Sequence, residues 1–174
     1  MLDGTAMWLY TSTPKPFLLL MGNVGNGKTT MAFAVATLHS SLSERAKVKL
    51  RNRGLLNEEE KWLWDRLEVA PVWKITTAQE IVTASADPTK YAEIKTAPHL
   101  ILDELGVEPK NKKVYGTDVT PVEDLLLYRY QKMLPTIITT NLNAQEIGER
   151  YGARIYDRLK EVGEVLQYNG ASFR

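Results

Sequence analysis

The sequence contains no cysteine and no long apolar run. The absence of cysteine from all 174 residues excludes disulfide bonds and thiolate metal sites, and it fits a reducing cytoplasm. A helix that crosses a bilayer needs about 20 consecutive apolar residues, and no stretch of this sequence approaches that length. The N-terminus also lacks the basic and then apolar layout of a signal peptide. These absences predict a cytoplasmic protein that makes no contact with a membrane.

A strong excess of one charge is missing too. The sequence has 22 basic and 21 acidic residues, for a formal net charge of +1. The overall field therefore gives no sign of nucleic-acid binding, and any such contact has to come from a local patch. The length suits one domain with its own core, so we expect a single domain over residues 1–174.

A glycine-rich segment lies between an apolar run and a helical pattern. Residues 17–21 have the length of a buried strand, and residues 28–40 are predicted to form a helix. Between them, residues 22–29 match the phosphate-binding pattern Gly-x-x-x-x-Gly-Lys-Thr. Backbone N–H groups of such a loop surround a phosphate, the lysine reaches the β- and γ-phosphates, and the threonine hydroxyl ligates Mg²⁺. The alternative is a glycine-rich turn that carries a lysine by chance. The predicted phosphate-binding residues are Gly22, Asn23, Val24, Gly25, Asn26, Gly27, Lys28, Thr29 and Thr30.

Strand and helix patterns alternate along the chain, which indicates an α/β protein with a mostly parallel sheet covered on both faces. Further strands are predicted at 71–76, 99–103, 137–140 and 164–168. Helices are predicted at 58–68, at 78–96 with a break near Asp87-Pro88, at 121–133, at 144–150 and at 153–161. Residues 44–56 are predicted to be basic and irregular, and residues 106–119 to form a polar loop. Capping-box spacings start at Asn57, Thr77 and Asn143.

Polar side chains follow two of the predicted strands. In a protein with a phosphate-binding loop, an aspartate at a strand end, here Asp103, holds Mg²⁺ directly or through water. The adjacent Glu104 can orient and deprotonate an attacking water, which favours hydrolysis over transfer to a second substrate. The alternative is a pair of solvated acids. Asn141 follows the strand at 137–140, and its amide either contacts the γ-phosphate and the water or starts a turn.

Two arginines near the C-terminus share one face of a predicted helix. Arg154 and Arg158 are spaced i and i+4. Two guanidinium groups on one face suit charge stabilisation on a phosphate, including one bound by a neighbouring subunit. On spacing alone, a solvated face with ordinary ion pairs to Asp157 and Glu161 is the stronger alternative.

These segments together resemble the AAA+ ATPases of the DnaC/IstB-like branch, which are bacterial and phage helicase loaders and transposition helpers. The resemblance covers about residues 8–174 and is carried by residues 22–30, 102–106, 139–142 and 151–159. The closing Ser172-Phe173-Arg174 is similar to the Ser-Tyr-Arg that ends many of these domains. The resemblance implies a three-layer P-loop fold with a five-stranded parallel sheet and little or no helical lid. It also implies ATP-driven oligomers.

The resemblance assigns a role to each matching residue. Lys28 and Thr29 act in the phosphate loop, Asp103 and Glu104 form the magnesium and water-activating pair, and Asn141 is the first sensor. The implied ligands are ATP or ADP with Mg²⁺.

Three arginines complete the implied site. Arg158, with Arg154 close by, matches the arginine finger that acts in trans, so that an isolated monomer would be a weak ATPase. Arg174 lies where a second sensor arginine is expected to contact the nucleotide. The implied role is loading of a replicative helicase, with single-stranded DNA contacted through the AAA+ core. A transposition helper is the nearest variant.

The sequence departs from the family pattern in two places. Almost nothing precedes the domain, so the helicase-binding segment is expected to be absent, and residues 51–70 form an extra stretch with Trp62 and Trp64. Basic clusters at 47–53 and 110–113 suit single-stranded nucleic acid or are solvated faces. Two other function classes stay open. They are a small-molecule phosphotransferase that uses the same loop, and a nucleotide-gated binding module that hardly hydrolyses ATP.

Overall fold

The protein is built on a sheet of parallel strands with helices on both faces. A computed structural model describes residues 15–53, 71–109, 112–114 and 117–168. In chain order the elements are β1 (Phe17–Gly22), α1 (Lys28–Arg53), β2 (Trp73–Thr77), α2 (Ala78–Ala84), α3 (Pro88–Lys95), β3 (His99–Leu105), β4 (Lys112–Val114), β5 (Thr117–Val119), α4 (Pro121–Gln131), β6 (Thr136–Thr140), α5 (Ala144–Val162) and β7 (Gly163–Tyr168).

The main sheet has five strands in the order β2-β3-β6-β1-β7. Every neighbouring pair in it is parallel, so the carboxyl ends of β1, β3 and β6 meet at one edge. β1 lies between β6 and β7, which explains why its sequence is a continuous apolar run and not an alternating one. The predicted fold class, an α/β protein with a five-stranded parallel sheet, is confirmed.

The core has two parts, one on each face of the sheet. Successive side chains of a strand point to opposite faces. Leu18 and Leu20 therefore pack with Val35 of α1, whereas Leu19 packs with residues of the opposite layer, among them Leu126 and Ile155. Helix α1 covers one face, and helices α2, α4 and α5 cover the other. The alternating pattern of elements predicted this three-layer arrangement correctly.

Two predicted capping boxes are present. The Thr77 side chain accepts from the N–H of Glu80 at 3.1 Å, and the Glu80 carboxylate accepts from the N–H of Thr77 at 2.8 Å. Asn143 and Glu146 make the same reciprocal pair at the start of α5. Because the capping box satisfies two backbone N–H groups that have no partner within the helix, both helices begin where the sequence predicts. The third predicted box, at Asn57, and the predicted helix at 58–68 lie outside the described residues.

Two predicted irregular segments contain regular structure. Helix α1 is 26 residues long and continues through Arg53, so the prediction of an irregular segment is wrong for residues 44–53. Those residues include alanine, leucine, lysine and arginine and no glycine or proline, a composition that sustains a helix. In the predicted loop at 106–119, β4 and β5 pair antiparallel, with Lys112 opposite Val119. Valine and threonine favour such short strands.

Helix α5 contains a break. Gly152 has φ 80° and ψ 159°, which lies outside the helical region, while residues on both sides are helical. This conformation places Gly152 where a residue with a side chain would be strained. Two helices were predicted at 144–150 and 153–161, and the break between them is at this glycine.

Candidate functional site

A polar cleft opens at the carboxyl edge of the sheet. It has a volume of about 310 Å³. Its lining comes from the loop after β1, the end of β3 and the end of β6, namely Val24, Gly25, Asn26, Gly27, Lys28, Thr29, Thr30, Glu104, Thr139, Thr140 and Asn141. Ligands of open parallel sheets bind at this edge. The structure therefore brings most of the predicted loop together with Glu104 and Asn141.

Glycines allow the loop after β1 to turn tightly against β7. A Cβ on Gly22, which has φ 147°, would lie 2.3 Å from the carbonyl oxygen of Tyr168, so no other residue fits there. Gly25 and Gly27 have φ 82° and 76°, which strain any residue that carries a side chain. The Asn26 side chain, which is 3% exposed, donates from Nδ2 to the same Tyr168 oxygen at 3.1 Å. These contacts hold the loop in a fixed shape.

Lys28 lies inside the loop, with its side chain turned toward the loop backbone. Its Nζ donates to the carbonyl oxygens of Gly22 at 2.8 Å and Asn23 at 2.6 Å. The residue is 7% exposed. Burial lowers the pKa of Lys28, and the nearby Asp103 carboxylate opposes that shift. The ammonium group is thus held beside the cleft with little competing water, a setting in which its charge acts strongly on an anion.

Two hydroxyl groups donate to one carboxylate oxygen. Thr29 donates from Oγ1 to Oδ1 of Asp103 at 2.9 Å, and Thr139 donates to the same oxygen in a short hydrogen bond. The hydroxyl oxygen of Thr139 also accepts from the backbone N–H of Glu104 at 2.9 Å. This network joins the phosphate-loop helix, the end of β3 and the end of β6. It fixes the backbone at Glu104 relative to Thr29 and Asp103.

The oxygen atoms of Thr29 and Asp103 fit a hard divalent cation. Mg²⁺ prefers oxygen ligands and is held by one or two carboxylates together with water and substrate phosphates. Within the described ranges, no group of three or more His, Cys, Asp or Glu side chains could hold a metal by itself. A hydroxyl and a carboxylate in hydrogen-bond contact suit a cation that arrives with a phosphorylated ligand.

Glu104 and Asn141 stand at the ends of neighbouring strands, and both are exposed to the cleft. The pairing of β3 with β6 shifts register between Leu102 and Leu105, and Glu104 has φ 56° in the left-handed region. Irregularities of this kind re-aim a side chain at a strand end. Here the irregularity lies at the residue of β3 that lines the cleft, Glu104.

Two of the predicted arginines, Arg154 and Arg158, do not line this cleft. Arg154 is exposed on α5. Arg158 donates from Nη1 to the Tyr130 hydroxyl and to Glu161, each at 3.0 Å, and its guanidinium lies 4.9 Å from the centre of the Tyr130 ring. The hydrogen bond to Glu161 raises the pKa of Arg158, with the Tyr130 hydroxyl and the charge of Glu161 adding to it. The ion pair to Glu161 that the sequence suggested is thus present. Arg174 lies outside the described residues.

Sequence reasoning missed several partners of the site residues. Thr139, which donates to Asp103, was named only as part of a motif. Tyr168, whose carbonyl accepts from Asn26, lies 142 positions away along the chain. A buried cluster of Glu108, Arg150 and Tyr151 next to the cleft was also missed. No local pattern could have revealed these contacts, because the sheet topology alone brings the segments together.

Solved structures with the same architecture come from replication proteins. The structure of the DnaC helicase loader aligns with a TM-score of 0.63 and 18% sequence identity over 97% of this chain and 88% of that one. The structure of DnaI aligns with a TM-score of 0.62 and 21% identity over 99% of this chain and 82% of that one. The chain has the AAA+ fold. The predicted resemblance is therefore confirmed at the level of the fold.

A longer protein aligns as well. DnaA from Aquifex aeolicus, solved with bound AMPPCP, aligns with a TM-score of 0.56 and 14% identity over 95% of this chain and 44% of its own length. No family model and no curated protein matches the sequence. Within the described ranges, no helix is both long and apolar enough to span a bilayer.

Proposed function

We propose that the chain binds and hydrolyses ATP as an AAA+ protein of DNA replication, acting on a replicative helicase. The observation that carries the proposal is the network in which Thr29 and Thr139 share one oxygen of Asp103 at a cleft also lined by Glu104 and Asn141. Hydrolysis requires a phosphate cradle, a cation site and a group that activates water within one small space. The residues that we propose for these three tasks, namely the loop after β1, the Thr29–Asp103 pair and Glu104, lie at one edge of the sheet.

Each residue has a defined task in this proposal. The loop N–H groups and Lys28 bind the β- and γ-phosphates. Thr29 and Asp103 hold Mg²⁺, which when bound neutralises charge on the phosphate oxygens. Glu104 takes a proton from the attacking water, and Asn141 orients that water toward the γ-phosphate. A carboxylate and an amide are both able to accept a hydrogen bond from water.

The arginines on α5 are proposed to act on the nucleotide of a neighbouring subunit. They do not line their own cleft. Arg154 is exposed, and the contacts of Arg158 with Glu161 and Tyr130 are solvated, so these contacts cost little to exchange for a phosphate. An arginine supplied in trans stabilises charge in the transition state of phosphoryl transfer. A dilute monomer would then be a weak ATPase.

The end of α1 is the surface proposed to contact single-stranded DNA. Arg45, Lys49 and Arg51 are exposed on the last turns of this helix. Residues 44–53 hold five basic residues and one acidic residue, although the whole chain has a net charge of only +1. A concentration of positive charge on an exposed helix suits a phosphate backbone. The helicase as partner is proposed because DnaC, a helicase loader, has the same fold.

The first test is ATP hydrolysis measured against protein concentration, with and without a poly-dT oligonucleotide. We expect turnover per chain to rise with concentration and to fall by about 10³-fold in Arg158→Ala. Lys160→Ala, an exposed cation on the same helix, is the control and is expected to match the wild type. Flat turnover that ignores concentration and Arg158→Ala would overturn the trans mechanism and favour a phosphotransferase.

A second arm tests the DNA surface. The double variant Lys49→Ala/Arg51→Ala is expected to weaken poly-dT binding and to reduce its dependence on salt, because fewer counterions are released. Lys90→Ala, an exposed lysine on α3, is the control. Equal binding by both variants would place the DNA contact elsewhere. Stimulation of turnover by a hexameric replicative helicase tests that partner.

A further inference from the structure

Glu108 is a buried carboxylate beside the cleft, and it does not line the cleft. It is 6% exposed and lies in the segment that follows β3. Its Oε2 accepts from the backbone N–H of Gly106 at 3.0 Å. Its Oε1 accepts a short hydrogen bond from the Tyr151 hydroxyl and pairs with the Arg150 guanidinium, with Nη2 at 3.4 Å. A buried charge persists only when it is paired in this way.

The four groups come from two parts of the chain that flank the site. Gly106 lies two residues after Glu104. Arg150 and Tyr151 end the first half of α5, immediately before the break at Gly152. Arg150 also donates from Nη2 to the backbone carbonyl of Glu108 in a short hydrogen bond. Glu108 therefore fastens the turn that follows Glu104 to helix α5 through its side chain and its backbone.

The same turn contacts the segment that carries Asn141. Gly106 has φ 106°, and a Cβ on it would lie 2.6 Å from the Leu142 side chain, so the backbone at Gly106 packs directly on Leu142. Leu142 follows Asn141, and its N–H donates to Oγ1 of Thr140 at 3.0 Å. A shift of the turn at Gly106 would consequently displace both residues proposed to hold the water.

Glu104 itself needs external support. Its φ of 56° is unfavourable for a residue with a side chain and persists only where neighbours enforce it. On one side its N–H donates to Thr139 at 2.9 Å. On the other side its carbonyl accepts from the N–H of Val107 at 3.2 Å, in the turn that Glu108 anchors.

We propose that Glu108 is a positioning residue that holds Glu104 and Asn141 in their relative places by fastening the Gly106 turn to Arg150 and Tyr151. The proposal rests on the hydrolytic function proposed above. Glu108 does not line the cleft and acts through Glu104 and Asn141, which do. Arg150 and Tyr151, which bond Glu108, directly precede Gly152 and the half of α5 that carries Arg154 and Arg158. The same contacts on α5 would therefore position both Glu104 and Asn141 and the two arginines.

The test compares two tyrosines whose hydroxyls both bond a carboxylate. Tyr151→Phe removes the bond to Glu108 and the contact from Nε of Arg150 at 3.3 Å. Tyr91→Phe removes the bonds to Asp124 and to the carbonyl of Pro121, both at 2.7 Å, and none of these residues lines the cleft. Glu108→Gln keeps the size of the side chain and removes its charge. We expect Tyr151→Phe and Glu108→Gln to lower kcat about tenfold or more, because small misplacements of catalytic groups are costly. ATP affinity should change less than about threefold, and Tyr91→Phe should leave both constants unchanged.

Amide hydrogen exchange supplies a readout that does not depend on turnover. We expect faster exchange in peptides covering residues 104–107 and 141–143 in Glu108→Gln and Tyr151→Phe, and no change there in Tyr91→Phe. Unchanged exchange at 141–143, or a kcat equal to that of the wild type, would overturn the positioning role. Absence of turnover in the wild type at every concentration would remove the proposed hydrolysis instead, and the exchange comparison would still decide whether Glu108 holds the two segments.

Discussion

Two buried cations lie at opposite edges of the same sheet and are used in different ways. Lys28, at the carboxyl edge, donates to the carbonyls of Gly22 and Asn23. Arg129, at the amino edge, is 0% exposed and donates to Oγ1 of Thr136 and to the carbonyls of Lys95, Ala97 and Pro135, at 2.7–3.2 Å. Burial lowers the pKa of both, that of Arg129 to about 10.

Lys28 and Arg129 differ in whether a ligand can reach them. Lys28 borders a cleft of about 310 Å³ lined by backbone N–H groups and hydroxyls. Arg129 is enclosed by the ends of α3, α4 and β6, and four of its five N–H donors bond protein acceptors. A cation whose pKa is depressed by burial is therefore not by itself a sign of function. Whether a buried cation can act on a ligand depends on an open cleft beside it. Matched substitutions of Lys28 and Arg129 can test this distinction.

The largest effect is expected at Lys28. Lys28→Met should lower ATP turnover by about 10³-fold, because it removes a positive charge from a site where water cannot replace it. The free energy of unfolding should change by less than about 1 kcal/mol, since two exchangeable carbonyl contacts are lost. Turnover and urea unfolding measure the two quantities. A Lys28→Met protein that unfolds much more easily but keeps its turnover would contradict this prediction and would make Lys28 a structural residue.

A methionine in place of Arg129, at the amino edge of the sheet, should lower the free energy of unfolding. Arg129→Met removes the donor to Oγ1 of Thr136 and to the carbonyls of Lys95 and Ala97. The Pro135 carbonyl keeps only the N–H of Leu100, at 3.1 Å. The substitution should therefore cost about 3 kcal/mol of unfolding free energy or more. ATP affinity of the folded fraction should remain that of the wild type. Urea unfolding and nucleotide titration check the prediction, and a protein of wild-type stability would contradict it.

Two threonines of β6 sharpen the comparison within a single strand. Thr139→Val removes the hydroxyl between Asp103 and Glu104 and should lower turnover about tenfold, equivalent to about 1.4 kcal/mol. Thr136→Val removes an acceptor of Arg129 and should cost about 1 kcal/mol of stability, with turnover unchanged. Equal losses of turnover in Thr139→Val and Thr136→Val would show that the position of the threonine along β6 does not matter, and would contradict the comparison.

The smallest effect concerns acid stability at the amino edge. Burial, with the charges of His39 and Arg129, lowers the pKa of His99 from 6.5 to about 4. The stabilisation by neutral His99 is complete above pH 6.5 and is lost as the pH falls toward 4, because the unfolded chain binds the proton first.

A matched variant isolates this contribution from that of the carboxylates. His99→Phe keeps a ring beside Trp73, whose centroid lies 5.1 Å from that of His99. Between pH 6.5 and about 4, the unfolding free energy of His99→Phe should fall less than that of the wild type. Parallel stability curves for the two proteins would rule out this contribution.

Local patterns predicted the parts of the site that are continuous in the chain. The loop from Gly22 to Thr30 and the acids near the end of β3 were recognisable because each follows an apolar run of strand length. The capping boxes at Thr77 and Asn143 were also predictable, because their contacts join residues only three positions apart. The extent of α1 was not, because a run of alternating basic residues gives no periodic apolar signal.

The sequence by itself determined the succession of the main-sheet strands and the helices between them, the glycine-rich loop after β1 and the chemical groups available at the strand ends. Only the tertiary structure decided which of those groups meet. Thr139 shares the Asp103 oxygen with Thr29, Tyr151 bonds Glu108, and Arg129 is sealed at the far edge. The physical reason is that hydrogen bonds between residues far apart in the chain depend on strand order and register, which arise from packing two helical layers on one sheet.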